Sequence, residues 1–430
     1  MSEQPISFGI ELRRCRTARG WSLTRLAMAV HYSKGHLSKV ETGLKRPTSE
    51  LARLCDTVLC ADGALAGLVP PHAATEAAPP SESRPDEEVW IMQRDSDGSV
   101  RFASMDRRHA LTLGASCLLA VAAGEAHAAA SPADAGLLQA SRSLFDQYRR
   151  LGQSAEPGAL VPPLVAQAQA LCDLASRSAG GTRRGLLVLA SRYAEFAGWM
   201  AQESGNDRAA SWLTRRAVDL ADAGGDRHLA TYALARQALI SFYAGDAPAT
   251  IGLAGRAANT KDAPARIRGL AAQQEAQGHA LAGDHRTCMR RLEAARAWLV
   301  ADTEDPSLPV IGSSNLTDPV SMATGWCLYD LGRPHQAADI LDTETARLPG
   351  HSVRNQVRYG MRRALSHAAA GDVEHACSVA GALLGPASQV GSATVRADIR
   401  RLARLLGRHS SNSAVREITP RLTSVLHPTA

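Results

Sequence analysis

A chain of 430 residues is too long for one hydrophobic core and predicts two or more folded units. With 45% apolar and 21% charged residues it is globular, and its 4% aromatics favour helices packed through small side chains over a β-sandwich. The formal charge of +6 is mildly basic; no apolar run reaches the roughly eighteen residues of a membrane span, and Met1 to Pro5 carry no basic-then-apolar leader. Eight scattered cysteines without C-x-x-C or zinc spacing imply free thiols in a reducing cytoplasm, not a disulfide framework.

In chain order, residues 6–69 read as five short helices. Phe8, Leu12 and Cys15 recur at helical spacing until Gly20 stops the first. Ser22 caps a second helix carrying Leu23, Leu26, Ala27 and Val30. A third starts at Ser33, buries Leu37 and Val40, and ends at Gly43. Thr48 or Ser49 caps a fourth, with Leu51, Leu54 and Val58 inward, and 62–68 forms the fifth. Prolines among Ala, Ser and Glu mark a linker over 70–87. Val89 to Met92, the Asp95–Gly98 turn, and Val100 and Phe102 predict a β-hairpin, which alone is marginal and must lean on a neighbour. Asp106-Arg107-Arg108 opens an apolar segment superficially like a twin-arginine export signal; its internal position and Glu125 and His127 favour a helix that packs the hairpin. The expected domains are 1–69, 70–132 and 133–430.

From about Ala133 onward the pattern is helical and repetitive. Gly205, Gly245, Gly283, Gly332 and Gly371 each close an apolar helix, and small or short residues stand seven before (Gly198, Ala238, Ala276, Gly325, Ala364) and five after (Ala210, Thr250, Cys288, Ala337, Ala376). Twelve after the first three come Ala217, Ala257 and Ala295; Glu344 and Leu383 break the rule in the last two units. Small side chains at fixed register let paired helices approach closely, as in stacked helical hairpins. Over roughly 185–390 this register resembles the tetratricopeptide repeat, with longer periods than usual. Residues 134–180 are expected to form a capping pair. The fold expectation is all-α, with a small β-hairpin region between an N-terminal five-helix domain and a C-terminal helical solenoid.

The segment from Leu23 to Gly43 resembles the helix-turn-helix of the phage-repressor (Cro/C1, or XRE) family, and residues 1–69 the lambda-repressor-like domain. The resemblance implies that the third helix enters the DNA major groove, with Lys34 and Gly35 at the entry, His36 and Ser38 beside them, and Lys39 one turn on. Ser33 aims a helix N-terminus at a phosphate, and Lys45 and Arg46 form a phosphate-contacting loop. Leu23 replaces the glutamine that many members use on phosphate, so Ser22 or Thr24 is expected to substitute. Arg16 and Glu41 match a structural ion pair of the family. Three of the four lysines, Lys34, Lys39 and Lys45 but not Lys261, fall in this segment. Positive charge is concentrated there, as phosphate contact requires.

Nearly the whole chain, including the Phe196–Gln202 segment, is similar to a group of actinobacterial regulators. By analogy with tetratricopeptide arrays, the first helix of each pair lines a concave face. The candidates there are Arg192, Glu195, Trp199, Tyr232, Phe242, Tyr243, Gln273, Gln277, Trp326, Tyr329 and Arg358. An aromatic groove with Arg, Glu and Gln around it suits a small molecule or a peptide. The long interval through Asp305 to Thr317 is a loop over the groove or an insertion. No phosphate loop, dinucleotide fingerprint, metalloprotease motif or nucleophile elbow is present, so no enzyme and no cofactor is expected. His367 and His375/Cys377 read as ordinary helix residues, not metal ligands. The expected function is a cytoplasmic transcriptional regulator, dimeric on an inverted-repeat duplex operator, with the repeats sensing a ligand and mediating dimerisation. The alternative is a protein-interaction adaptor without ligand sensing.

Overall fold

A computed structural model describes residues 8–30, 32, 34–45, 47, 51–52, 55, 58–59, 61, 64–65, 68, 88–94, 100–106, 132–302, 311–312 and 315–427. The linker, the Asp95–Gly98 turn, the segment 107–130, Ser33, Arg46, Thr48, Ser49, Leu54, Cys60, Cys117 and the loop 303–310 lie outside the described residues. The chain divides into two compact units, Met1–Glu82 and Ser83–Ala430.

The first unit contains α1 (Phe8–Ala18), α2 (Leu23–Val30) and α3 (Lys34–Glu41), with further helical residues at 51–52, 55 and 58–59. Helix α1 ends where Gly20 turns left-handed at φ 65°, and α3 ends likewise at Gly43, φ 76°. Leu12, Leu26, Val30, Leu37, Val40, Leu51 and Leu65 are withdrawn from solvent into one core. Gly9 is also buried. A Cβ there would stand 2.5 Å from the Val40 carbonyl oxygen and 2.7 Å from that of Glu41, so α1 crosses the end of α3 at glycine-only distance.

The second unit opens with β1 (Glu88–Arg94) and β2 (Val100–Asp106), antiparallel with Trp90 opposite Ser104 and Met92 opposite Phe102. The hairpin leans on a helix, as a lone hairpin must: Trp90 meets Trp212 edge-on and Phe102 stacks on the same indole, each with centroids 5.4 Å apart.

The rest is helical: α4 (Pro132–Leu151), α5 (Pro157–Arg177), α6 (Gly180–Glu203), α7 (Asp207–Ala223), α8 (Leu229–Tyr243), α9 (Ala247–Ala258), α10 (Ala265–Leu281), α11 (His285–Val300), α12 (Pro319–Asp330), α13 (Pro334–Ala346), α14 (Val353–Ala370), α15 (Val373–Val390), α16 (Ala393–Leu406) and α17 (Ser413–Leu426). Consecutive helices pack as hairpins. All five landmark glycines are left-handed, with φ between 72° and 95°. At each, the following amide reaches back five residues to a carbonyl at 2.9 Å: Asn206 to Ala201, Asp246 to Ser241, Asp284 to His279, Arg333 to Leu328, Asp372 to His367. This satisfies otherwise orphaned helix-end carbonyls. In three units the same residue then caps the next helix, Asn206, Asp246 and Asp284 accepting from amides three residues on. Every small residue at the seven-before and five-after positions is buried.

The last hairpins return to the first. Arg354 in α14 donates to the carbonyls of Gly152 (2.7 Å) and Ala155 (2.6 Å) in the α4–α5 turn and to Glu203 at the end of α6 (3.2 Å). Ser392 and Thr394, at the start of α16, donate to the same Glu203 carboxylate at 2.7 and 3.1 Å. No described helix is long and apolar enough to cross a membrane.

Candidate functional site

In the first unit, α3 is amphipathic in the sense its sequence dictates. Leu37 and Val40 are buried, while Lys34, Gly35, Ser38 and Lys39 face solvent and His36 is half-exposed. Tyr32 holds the His36 ring edge-on at 5.0 Å, and Lys45, itself exposed, places Nζ 3.4 Å from His36 Nδ1. Lys34, Gly35, Ser38, Lys39 and Lys45 therefore all stand on exposed positions of α3 and the turn after it. Ser22 and Thr24 are exposed at the start of α2, where Ser22 Oγ accepts from the Arg25 amide at 3.1 Å. Its hydroxyl proton stays available to a phosphate. Ser33 and Arg46 lie outside the described residues.

Orientation of α3 comes from a second contact with α1. Arg16 donates through Nε to Glu41 Oε1 at 2.6 Å and through a terminal nitrogen to Oε2 at 3.0 Å. Its remaining terminal nitrogen donates to the Trp21 carbonyl at 2.7 Å, so one guanidinium joins α1, the α1–α2 turn and the end of α3. The carboxylate raises the Arg16 pKa through that hydrogen bonding, against some desolvation.

The second unit contains a cavity of about 180 Å³ enclosed by the repeats. Helix α6 contributes Arg192, Glu195, Phe196 and Trp199; α8 contributes Tyr232, Arg236 and Tyr243; α10 contributes Gln273, Gln274 and Gln277; α12 contributes Trp326; α14 contributes Asn355, Arg358 and Tyr359. Of the expected concave-face residues, only Phe242 and Tyr329 stand elsewhere. Phe242 is buried behind the wall, edge-on to Trp326 at 5.6 Å, and Tyr329 packs on the core of the last hairpins. Phe145, Arg149 and Gln153 also line the cavity. They come from α4 and its following turn, which the repeat register does not cover, so no periodic signal pointed to them.

The wall is aromatic with polar ends. Trp326 touches Tyr243 and Tyr359 edge-on at 6.1 and 6.0 Å and lies under the Arg362 guanidinium at 3.9 Å. Burial pushes the Tyr243 phenol up to about 12 and raises Tyr232 as well, so both are neutral donors at physiological pH. Three of the lining guanidiniums meet carboxylates: Arg192 with Asp226 at 2.6 Å, Arg236 with Glu195 at 3.3 Å, and Arg358 with Glu203. Arg149 donates to the Gly312 carbonyl at 2.9 Å, and desolvation lowers its pKa although Glu195 and Asp146 pull the other way. The side-chain oxygens of Gln273, Gln274 and Gln277 accept no hydrogen bond from the protein.

Asp342, His367 and His375 bring three potential metal-ligating atoms within 4.8 Å of one another. Arg363 donates to Asp342 and lies 3.2 Å from His375 Nε2, placing a permanent cation where a metal ion would have to sit. Cys377 is buried and is not part of this group.

Comparison with curated proteins and with solved structures finds no match. The family model described as a helix-turn-helix domain matches residues 7–68, so the first unit carries a helix-turn-helix domain of the kind found in DNA-binding regulators.

Proposed function

We propose that the protein is a cytoplasmic, sequence-specific regulator of transcription, not an enzyme, and that it reads duplex DNA with α3. The observation that carries this reading is the division of α3 within a helix-turn-helix domain: Leu37 and Val40 buried, Lys34, Gly35, Ser38 and Lys39 exposed. Lysines at the first and second turns suit guanine O6 and N7, and Gly35 lets the backbone approach the groove closely. Ser22, Thr24, Lys45, Ser33 and Arg46 serve phosphates. One such head spans few base pairs, so a two-fold dimer on an inverted repeat supplies the remaining affinity. The tetratricopeptide-like repeats hold the dimer and sense a small molecule or peptide, acting by binding one arrangement better than the other. The enclosed aromatic cavity supports sensing over the alternative of a pure interaction adaptor.

Selection of random duplexes on the purified protein tests the DNA assignment. A defined sequence is expected, with affinity falling steeply in salt. Lys39→Ala costs about 1–3 kcal/mol at its base pair, and Lys45→Ala lowers the salt slope by about 0.9 without changing sequence preference. Unchanged binding of the selected duplex by Lys34→Ala and Lys39→Ala proteins refutes the base-reading role.

A further inference from the structure

The cavity has a chemistry more specific than a generic groove, and the ligand class it selects depends on the ligand-sensing role proposed for the repeats. Its enclosed space of about 180 Å³ is small. A dry protein cavity of roughly 150 Å³ holds one benzene ring, whereas sites for drug-sized molecules run from roughly 300 Å³ upward. An extended peptide advances ~3.3 Å per residue and would run out of such a space within a few residues. The walls are flat and aromatic on opposite sides, Trp199 from α6 and Trp326 from α12, with Tyr232 and Tyr243 between them on α8. Four guanidiniums line the space, those of Arg149, Arg192, Arg236 and Arg358, against the one carboxylate of Glu195. Asp226 and Glu203 balance Arg192 and Arg358, but Glu203 is shared with Arg354, so the balance still favours positive charge. Gln277, only 3% exposed, lines the cavity with a side-chain oxygen that accepts nothing from the protein, as do Gln273 and Gln274. Buried amides of this kind are built to be completed by a partner.

We propose that the cavity binds a small aromatic acid: one ring or two fused rings, stacked between Trp199 and Trp326, with its carboxylate toward Arg149 and Arg236 and a hydroxyl or ring N–H toward the glutamine amides of α10. Ring faces match the indoles, the carboxylate gains a charge-assisted hydrogen bond in a low-dielectric space, and the ring donor satisfies Gln277.

Three probes of one shape and different charge test this on the full-length protein by calorimetry: 4-hydroxybenzoate, 4-hydroxybenzamide and 4-hydroxybenzylamine. The expected order is acid first, amide at least tenfold weaker, amine weakest. Arg149→Met, at a half-exposed position where an apolar stem is tolerated, removes the preference for acid over amide. Gln277→Leu weakens all three probes, because the ring donor loses its acceptor. Equal binding of acid and amide, a preference for the amine, acid affinity unchanged in both variants, or no acid binding overturns the assignment. The sensing reading is scored separately by affinity for the selected duplex. Acid bound with no change in DNA affinity sinks sensing and leaves the ligand class. A random hexapeptide pool that shifts DNA affinity while the acid does not bind sinks the ligand class and leaves sensing.

Discussion

Removing the Glu203 carboxylate tests whether the last hairpins are locked to the first by charge. Glu203 is 1% exposed, and the two guanidiniums it serves, Arg354 and Arg358, are 0% and 11% exposed. Deleting one partner of a buried pair leaves the other charge uncompensated and costs about 3–5 kcal/mol. The hydroxyls of Ser392 and Thr394 lose an acceptor too, roughly 1 kcal/mol each if unrelieved, while Arg354 keeps the carbonyls of Gly152 and Ala155. Glu203→Ala is therefore expected to destabilise the second unit by about 4 kcal/mol, and Glu203→Gln, which keeps the shape, by about half as much. Glu344→Ala is the control, because its partner Arg347 is 55% exposed and lies three residues away on the same chain segment; less than ~1 kcal/mol is expected. Urea unfolding followed by far-ultraviolet circular dichroism gives each value from the midpoint and slope. The dependence on pH carries a sign. Burial alone would raise the Glu203 pKa, but Arg358, Arg354 and the two hydroxyls hold it below its ordinary 4.5. Its contribution is thus complete above 4.5 and fades as pH falls through the lower folded value, so wild type and Glu203→Gln converge only in acid. A loss under ~1 kcal/mol for Glu203→Ala at neutral pH refutes the locking argument.

Gly9→Ala places a methyl against the Val40 and Glu41 carbonyls, and backbone cannot give as a side chain does. A loss of about 2 kcal/mol, with weaker binding of the selected duplex, is expected by thermal melting and fluorescence anisotropy. Glu41→Ala strands Arg16 and lowers the stability of the first unit by about 2 kcal/mol, allowing for partial exposure; replacing both residues with apolar ones recovers most of it. In Gly325→Ala the new methyl lies 2.8 Å from Leu341 Cγ, on a side chain that is fully buried. Overpacking of about 1–3 kcal/mol is partly offset by about 1 kcal/mol of helix propensity. A cycle with Leu341→Ala is expected to show coupling of at least ~1 kcal/mol in urea unfolding.

What the amino-acid order makes legible here is local. The five turn glycines announce themselves because only glycine takes a left-handed φ cheaply, and the aspartate or asparagine after three of them caps the next helix within four residues. The Arg16–Glu41 pair and the exposed lysines of α3 were readable through the repressor resemblance. Leu383, which breaks the small-residue rule, is explained only in three dimensions: Gly360 on the facing helix leaves room for its side chain. The Glu203 lock joins residues 151 to 191 positions apart, and no spacing or periodicity encodes such a meeting. Arg149 and Phe145 escaped for the same reason, since they reach the cavity from a helix outside the repeat register. Phe242 was misplaced because an aromatic one turn from its neighbours on a helix can face the wall's interior as readily as its surface.

The lock has a consequence for how this domain can vary. In an open array of repeats, a hairpin can be duplicated or lost and the remaining neighbours still find their mates. Here Glu203 near one terminus and Arg354, Ser392 and Thr394 near the other must meet, so inserting or deleting one unit would carry the two ends past each other and leave several ionic groups stranded in an apolar interior. The copy number of hairpins is thereby fixed by electrostatics, and divergence in this scaffold is channelled into side chains and loops instead of length.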